Sequence, residues 1–292
     1  KGLICSEDFL YFLLVIILFV TLSILRLQAE RTKRSALQST LRYGGVIVVT
    51  LLIGYFSARP ALRCYYDATE MKENTLTQNS IDIMEKLDGP LTITTYANMF
   101  DENYFRALPR YYNEDFNRFE KYIRFKPEIK MKYVYYYDKT NNPTLEQRYP
   151  GLTDEQRLKK ICDALDWDVK RVLTPEQIRA KEDLSGEYNK YVRVIERGNG
   201  QKSYLRLYED NYRHPTETEI SAALKRMVIK SPVVAFLTGH GERSIDGIGE
   251  RDYYAFSQYK DFRSSLVNQG FESISLSLDS VNKVPENIDI LV

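Results

Sequence analysis

The chain has 292 residues, with 41 Lys and Arg against 40 Asp and Glu, two histidines and three cysteines. So even a balance leaves no electrostatic footprint for nucleic acid, and His214 and His240 alone do not make a multi-histidine metal centre. Cys5, Cys64 and Cys162 show no metal-ligand spacing, and a Cys64–Cys162 disulfide stays open. We expect neither a metal nor a cofactor.

Two apolar stretches come first. Phe9 to Leu25 carries no charge across 17 residues, and Tyr43 to Ala58 carries none across 16. About 20 helical residues cross a hydrocarbon core of about 30 Å, so spans are expected over about 9–27 and 41–58, making residues 1–58 a transmembrane helical hairpin. A cleaved signal peptide needs basic residues before its apolar core. Here Glu7 and Asp8 precede it, and Arg26, Arg31, Lys33 and Arg34 follow, the order of a stop-transfer span. A buried hairpin of a water-soluble core is the competing reading. The loop between the stretches holds five basic residues, counting Arg42, against Glu30, so the positive-inside rule places it in the cytoplasm. The bulk of the chain then lies outside, in the periplasm of a multi-pass inner-membrane protein. Residues after Ala58 carry 35 basic and 37 acidic side chains.

Beyond the spans, strands and helices alternate, as in α/β proteins. We divide this part into an extracytoplasmic α/β domain over 59–230 and a second α/β unit over 231–292, with mostly parallel sheets. Thr77 is placed to cap a helix running to Leu87, with Leu76 and Ile81 as its hydrophobic staple, and Gly89-Pro90 to stop it. Leu91 to Ala97 reads as a strand. Asn113 to Phe125 has helical spacing at Phe116, Phe119, Tyr122 and Ile123, and Ile129 to Tyr137 alternates as a strand. Together these make a parallel βαβ unit. Thr153 with Gln156, and Thr216 with Glu219, are capping boxes, and Thr174-Pro175 opens a further helix. Tyr191 to Glu196 and Lys202 to Tyr208 flank Gly198-Asn199-Gly200 as a hairpin. Val233 to Leu237 reads as a buried strand, Tyr254 to Val267 as a helix ended by Gly270, Phe271 to Leu278 as a strand, and Ile288 to Val292 as the start of another. The chain opens at Lys1 and closes inside that apolar run, so it reads as a piece of a longer polypeptide.

The candidate contact site is the turn Thr238-Gly239-His240-Gly241-Glu242, at the carboxyl end of its strand, where doubly wound folds hold ligands. One reading makes His240 a proton donor or orienting group with Glu242 as its carboxylate partner, the glycines letting a ligand approach the backbone. The other makes it a structural turn. Neither Ser nor Cys stands in the turn to act as a nucleophile, and Gly247-x-Gly249 is too short for a dinucleotide fingerprint. His214, beside Pro215, reads as a residue preceding a helix cap. Ten tyrosines lie between Tyr96 and Tyr149. They either fill a half-buried sheet or offer a stacking surface for sugars or a protein.

Several of these segments resemble a known family. Tyr66-Asp67-Ala68-Thr69-Glu70-Met71-Lys72-Glu73-Asn74-Thr75-Leu76-Thr77, directly after a span, is similar to the D-L-T-x-x-x-x-x-T-L-S segment of the GldG-like auxiliary proteins of ABC transporters, first named for gliding motility. Ala68 stands where that family has Leu. Leu87-Asp88-Gly89-Pro90-Leu91-Thr92-Ile93, Phe236-Leu237-Thr238-Gly239-His240-Gly241-Glu242 and the ending Val284 to Val292 resemble later segments of the family. The resemblance implies an amino-terminal span, an extracytoplasmic α/β region, and partnership with an ABC permease and a cytoplasmic ATPase. In some bacteria the permease is fused to the GldG-like part, and the first span with its basic loop resembles the last permease helix. The family has no catalytic residues to carry over.

The expected function is therefore that of a non-catalytic, membrane-anchored ABC transporter subunit whose outer region contacts a periplasmic ligand or an envelope partner. ATP would be hydrolysed elsewhere, since no G-x-x-x-x-G-K-[ST] loop occurs. The alternative is a tethered glycan- or peptide-binding protein independent of any ATPase. An enzyme using His240 and Glu242 is a third class.

Overall fold

The structure is a computed structural model describing residues 2–32, 35–59, 62–239, 241–277 and 283–292. It divides into two compact units, Lys1–Leu76 and Thr77–Val292.

In the first unit, β1 (Leu3–Cys5) leads into α1 (Ser6–Arg31), α2 (Ala36–Ser57) follows, and β2 (Tyr65–Asp67) closes the unit's secondary structure. The helices have 26 and 22 residues, are long and apolar enough to cross a membrane, and bury no residue. The absence of burial argues against a water-soluble core hairpin, whose helices would hide a stripe. They pack side by side where Gly54 faces Leu14. Lys33 and Arg34 of the connecting loop lie outside the described residues.

The sequence did not suggest the pairing of β1 with β2. They run antiparallel, with Leu3 opposite Asp67 and Cys5 opposite Tyr65. Glu7 and Arg63 add an ion pair at 2.8 Å, so the segment before α1 and the segment after α2 meet.

Asp67 organises the turn that follows. Its buried carboxylate accepts hydrogen bonds from the Thr69 N–H and hydroxyl, the Asn74 N–H and side-chain amide, and the Thr75 hydroxyl. Desolvation pushes this carboxyl up, but the Thr69 and Asn74 hydrogen bonds outweigh it and hold it far below the usual carboxylate range. The Asp67-x-Thr69 and Asn74-Thr75 spacings thus have a physical purpose: they close one loop around one carboxylate.

The second unit holds α3 (Gln78–Glu85), β3 (Leu91–Asn98), α4 (Tyr112–Phe125), β4 (Lys130–Tyr136), α5 (Pro143–Arg148), α6 (Asp154–Leu165), β5 (Val172–Leu173), α7 (Pro175–Lys181), β6 (Val192–Arg197), β7 (Lys202–Arg206), α8 (Glu217–Lys225), β8 (Val233–Thr238), α9 (Tyr254–Ser257), β9 (Glu272–Ser277) and β10 (Ile290–Leu291). Five strands form one sheet in the order β5-β4-β3-β6-β7. The β3-α4-β4 unit is parallel, as its periodicity predicts. From β3 onward, however, β6 and β7 pair antiparallel. The expectation of mostly parallel sheets is therefore corrected: this sheet is mixed, because the hairpin adds to the edge of β3 left open by the crossover. The second sheet, β10-β8-β9, is parallel throughout.

The tyrosines serve both faces of the mixed sheet. Tyr135 and Tyr137 pack with Phe100, Leu158, Ile161 and Cys162, while Tyr136 packs oppositely with Ile178, Leu184 and Val192. The Thr153–Gln156 and Thr174–Gln177 capping boxes start α6 and α7. At α8 the Glu219 carboxylate accepts from the Thr216 N–H at 2.8 Å and from its hydroxyl at 2.9 Å.

Two expectations on helix extent fail. The first helix of this unit ends at Glu85, short of Leu87. The helix expected over 254–267 stops at Ser257, after four residues. Beyond it the backbone folds back, with the Leu266 N–H on the Phe256 carbonyl and the Val267 N–H on that of Ser257. Polar ties hold this fold: Asn268 donates to the carbonyls of Lys260 and Phe262, and Arg263 engages Asp210, Glu219 and the His214 carbonyl. Leu278, expected to end a strand, lies outside the described residues.

Asn98, fully buried at the carboxyl end of β3, uses its whole hydrogen-bonding capacity. Its amide donates to the carbonyls of Asp138 and Asn189, both at 2.8 Å, and its oxygen accepts from the N–H groups of Phe100 and Asp138.

We predict that Asn98→Ala, which strips three buried backbone groups and one half-buried one of their partner, costs about 3 kcal/mol, read from the denaturant midpoint of the full chain in detergent. Asp67→Ala should speed trypsin cleavage at Lys72, since the turn around residues 67–75 loses its centre. In the native chain the ionised carboxylate holds that turn fully at any pH above the ordinary carboxylate range, and the hold should weaken as pH falls below about 4.

Candidate functional site

The turn after β8 lies at the carboxyl end of the central strand of the parallel sheet. Thr238 ends the strand half-buried, and Gly239, Gly241 and Glu242 are exposed. Gly239 and Gly241 have φ of 124° and 90°, a conformation that a side chain opposes, so the backbone itself calls for these glycines. His240 lies outside the described residues.

The loop that follows is built around Asp252. Its carboxylate accepts from the N–H groups of Ser244 at 3.3 Å and Gly249 at 3.1 Å. A Cβ on Gly247 would stand 2.3 Å from Asp252 Oδ2. Gly247 and Gly249 therefore make room for an acidic side chain of the same loop, an arrangement that repels a phosphate. Buried Ile245 and the Tyr253 ring, 5.0 Å from that of Phe236, fasten the loop to β8.

His214 sits just before α8 and among arginines. Its Nδ1 lies 3.4 Å from an Arg193 Nη atom. Burial, then the charges of Arg193, Arg118 and Arg106, pull its imidazole down to about 2, so it is neutral at physiological pH. Arg193 is itself fully buried and paired with buried Asp115, which also accepts from the Tyr133 hydroxyl at 3.0 Å. The Arg193 guanidinium lies 5.0 Å from the Tyr191 ring centre and 5.6 Å from that of Phe119. Its Nε and Nη1 are buried without a hydrogen-bond partner among the described residues. Nothing in the sequence singled out Arg193: an Arg inside Tyr191-Val192-Arg193-Val194 alternates like any strand residue, and only the position of α4 puts Asp115 above it.

A polar cleft of about 220 Å³ opens near the carboxyl end of β3, where the sheet changes from parallel to antiparallel. Its lining includes Asp101, Glu187, Lys190, Arg206, Arg213 and Asp261. Arg206 forks onto Glu187 at 2.6 and 2.8 Å, and Lys260 reaches Glu187 at 3.1 Å. Lys190 pairs with Asp261. These residues come from segments up to 160 positions apart, with no motif among them, so sequence spacing did not reveal the cleft.

No family model, curated protein or solved structure matches the chain. Its function is therefore argued from the chain's own residues. Cys64 and Cys162 are both unbridged, and Cys162 is buried in the sheet core. Among the described residues no three His, Cys, Asp or Glu side chains converge as metal ligands.

The neutral His214 gives a pH prediction. Below about 6.5 the unfolded chain takes up a proton that the folded ring refuses, so stability should fall as pH drops from about 7 to 5. The ring is partly solvated, so the loss should stay under about 1 kcal/mol per pH unit. His214→Gln should flatten this slope in denaturation midpoints measured across that range.

Proposed function

We propose that this chain is a membrane-anchored, non-catalytic auxiliary subunit of an ABC transporter, related to the GldG-like proteins. The observation that carries the reading is the joining of two apolar, unburied helices to an α/β region through the Asp67-centred turn. That turn is the segment that resembles the family, and of its matching residues Thr69 and Thr75 hydrogen-bond Asp67, with Asn74 added from a position the family leaves open. The β1–β2 pairing supports a topology in which both ends of the helical hairpin leave the bilayer on one side. With the basic loop in the cytoplasm, that side is the periplasm, and the protein is a multi-pass inner-membrane subunit. Its helices pack against lipid and the permease, a cytoplasmic ATPase supplies the energy, and the outer region meets a ligand or an envelope partner through surfaces that include Thr238 to Glu242.

The glycan-binding alternative draws on the tyrosine-rich stretch between Tyr96 and Tyr149. Tyr96, Tyr122, Tyr135, Tyr136 and Tyr137 are buried, which removes half of the ten tyrosines from any stacking surface.

The test is a mild-detergent pull-down of the full-length protein with mass spectrometry of what accompanies it. We expect an ABC ATPase and its permease. Recovery of neither, even after cross-linking in cells, would overturn the transporter assignment.

A further inference from the structure

The polar cleft beside β3 has an uneven charge arrangement. Glu187 faces Arg206 and Lys260, Asp261 faces Lys190, and Glu102 lies 3.8 Å from Arg213. Glu209 takes the Tyr259 hydroxyl at 2.7 Å. Asp101 differs. Its side chain is buried at 4% exposure, and it lines the cleft with no ion-pair partner among the described residues. Its carboxylate accepts the Tyr191 N–H at 2.8 Å and is also bonded by the backbone of Asn103. Lys190 is near enough to influence it, but its ammonium is committed to Asp261. A buried carboxylate is costly to leave without a counter-charge. Desolvation pushes the Asp101 carboxyl up, against the hydrogen bonds from the Tyr191 and Asn103 backbone that favour its charged form.

The backbone around the cleft is also held in an unusual state. Tyr188 and Arg213 line it with φ of 56° and 54°, and Asn189, between Tyr188 and Lys190, has φ of 51°. Bulky side chains in this region cost about 1–3 kcal/mol each and persist where the surroundings impose them, often at ligand sites. The Asn189 carbonyl is bound by Asn98, which explains how the strain is held in place.

We propose that this cleft binds a small ligand carrying a primary ammonium group, with the Asp101 carboxylate accepting the ammonium. The cleft, about 220 Å³, has room for a small ligand such as an amino acid, a short polyamine or an amino sugar. Those three sources share the ammonium that Asp101 requires. The exposed guanidinium of Arg213, whose ion-pair partner among the described residues is Glu102 at 3.8 Å, stands at the rim to meet an anionic group where the ligand has one. The proposal is independent of the transporter reading, since it needs no ATPase.

The experiment is calorimetric titration of the full chain in detergent with lysine, putrescine and glucosamine, each beside its N-acetylated counterpart. At least one amine should bind with a Kd below about 1 mM, its acetylated form about tenfold or more weaker, because the ion pair is then lost. Asp101→Asn should weaken binding about tenfold or more. Should that variant fail to fold, Asn141→Trp, at an exposed residue of the cleft lining, should block the site without touching the core. Absence of saturable binding by all three amines up to about 10 mM overturns the proposal. So does binding that survives N-acetylation, or that Asp101→Asn and Asn141→Trp both leave unchanged.

Discussion

One side-chain amide holds together the end of the sheet on which the rest of the second unit depends. Asn98 closes β3 by joining three stretches of chain, at Phe100, Asp138 and Asn189, through four hydrogen bonds. In a buried position only a side chain with two donors and two acceptor sites does this without leaving a polar group orphaned. The consequences reach outward. Asp101 follows three residues later, its N–H bound to the Asn98 carbonyl, and Lys190 follows the captured Asn189. Asp138 is held so that Arg179 reaches both its oxygens. The polar cleft is therefore a product of how β3 ends.

The sheet interior is more polar than its strand pattern suggests. Tyr133 stacks on Tyr112 with ring centres 3.9 Å apart, and the Tyr112 and Tyr135 hydroxyls meet at 2.7 Å. Arg193 and Asp115 neutralise one another among these rings. A buried ion pair of this kind is not strong evidence of net stability, because desolvation offsets most of the Coulomb attraction. It does penalise any other register: moving β6 by one residue would turn Arg193 to the face that holds Ile178 and Leu184.

Local signals in the sequence were read well where they were self-contained. Both apolar helices, the β3-α4-β4 unit and the Gly198-Asn199-Gly200 hairpin follow from periodicity and turn chemistry. The misreading at 254–267 has an informative cause. Phe256, Leu266 and Val267 keep an apolar spacing, but Asp261 and Arg263 are claimed by Lys190, Asp210 and Glu219, and those ties are incompatible with a continuous helix. Likewise Gly247-x-Gly249 is a glycine pattern whose meaning came from Asp252.

By itself the sequence determined the apolar helical hairpin, its basic loop and the alternation of strands and helices after it. Each of these depends on residues within about one element of each other, where periodicity, charge and capping act directly. The tertiary structure decided the antiparallel half of the mixed sheet, the pairing of β1 with β2, the burial of the tyrosines and the cleft around Asp101. All four bring together groups far apart in the chain, and which distant groups meet is set by the packing of the whole rather than by any local pattern.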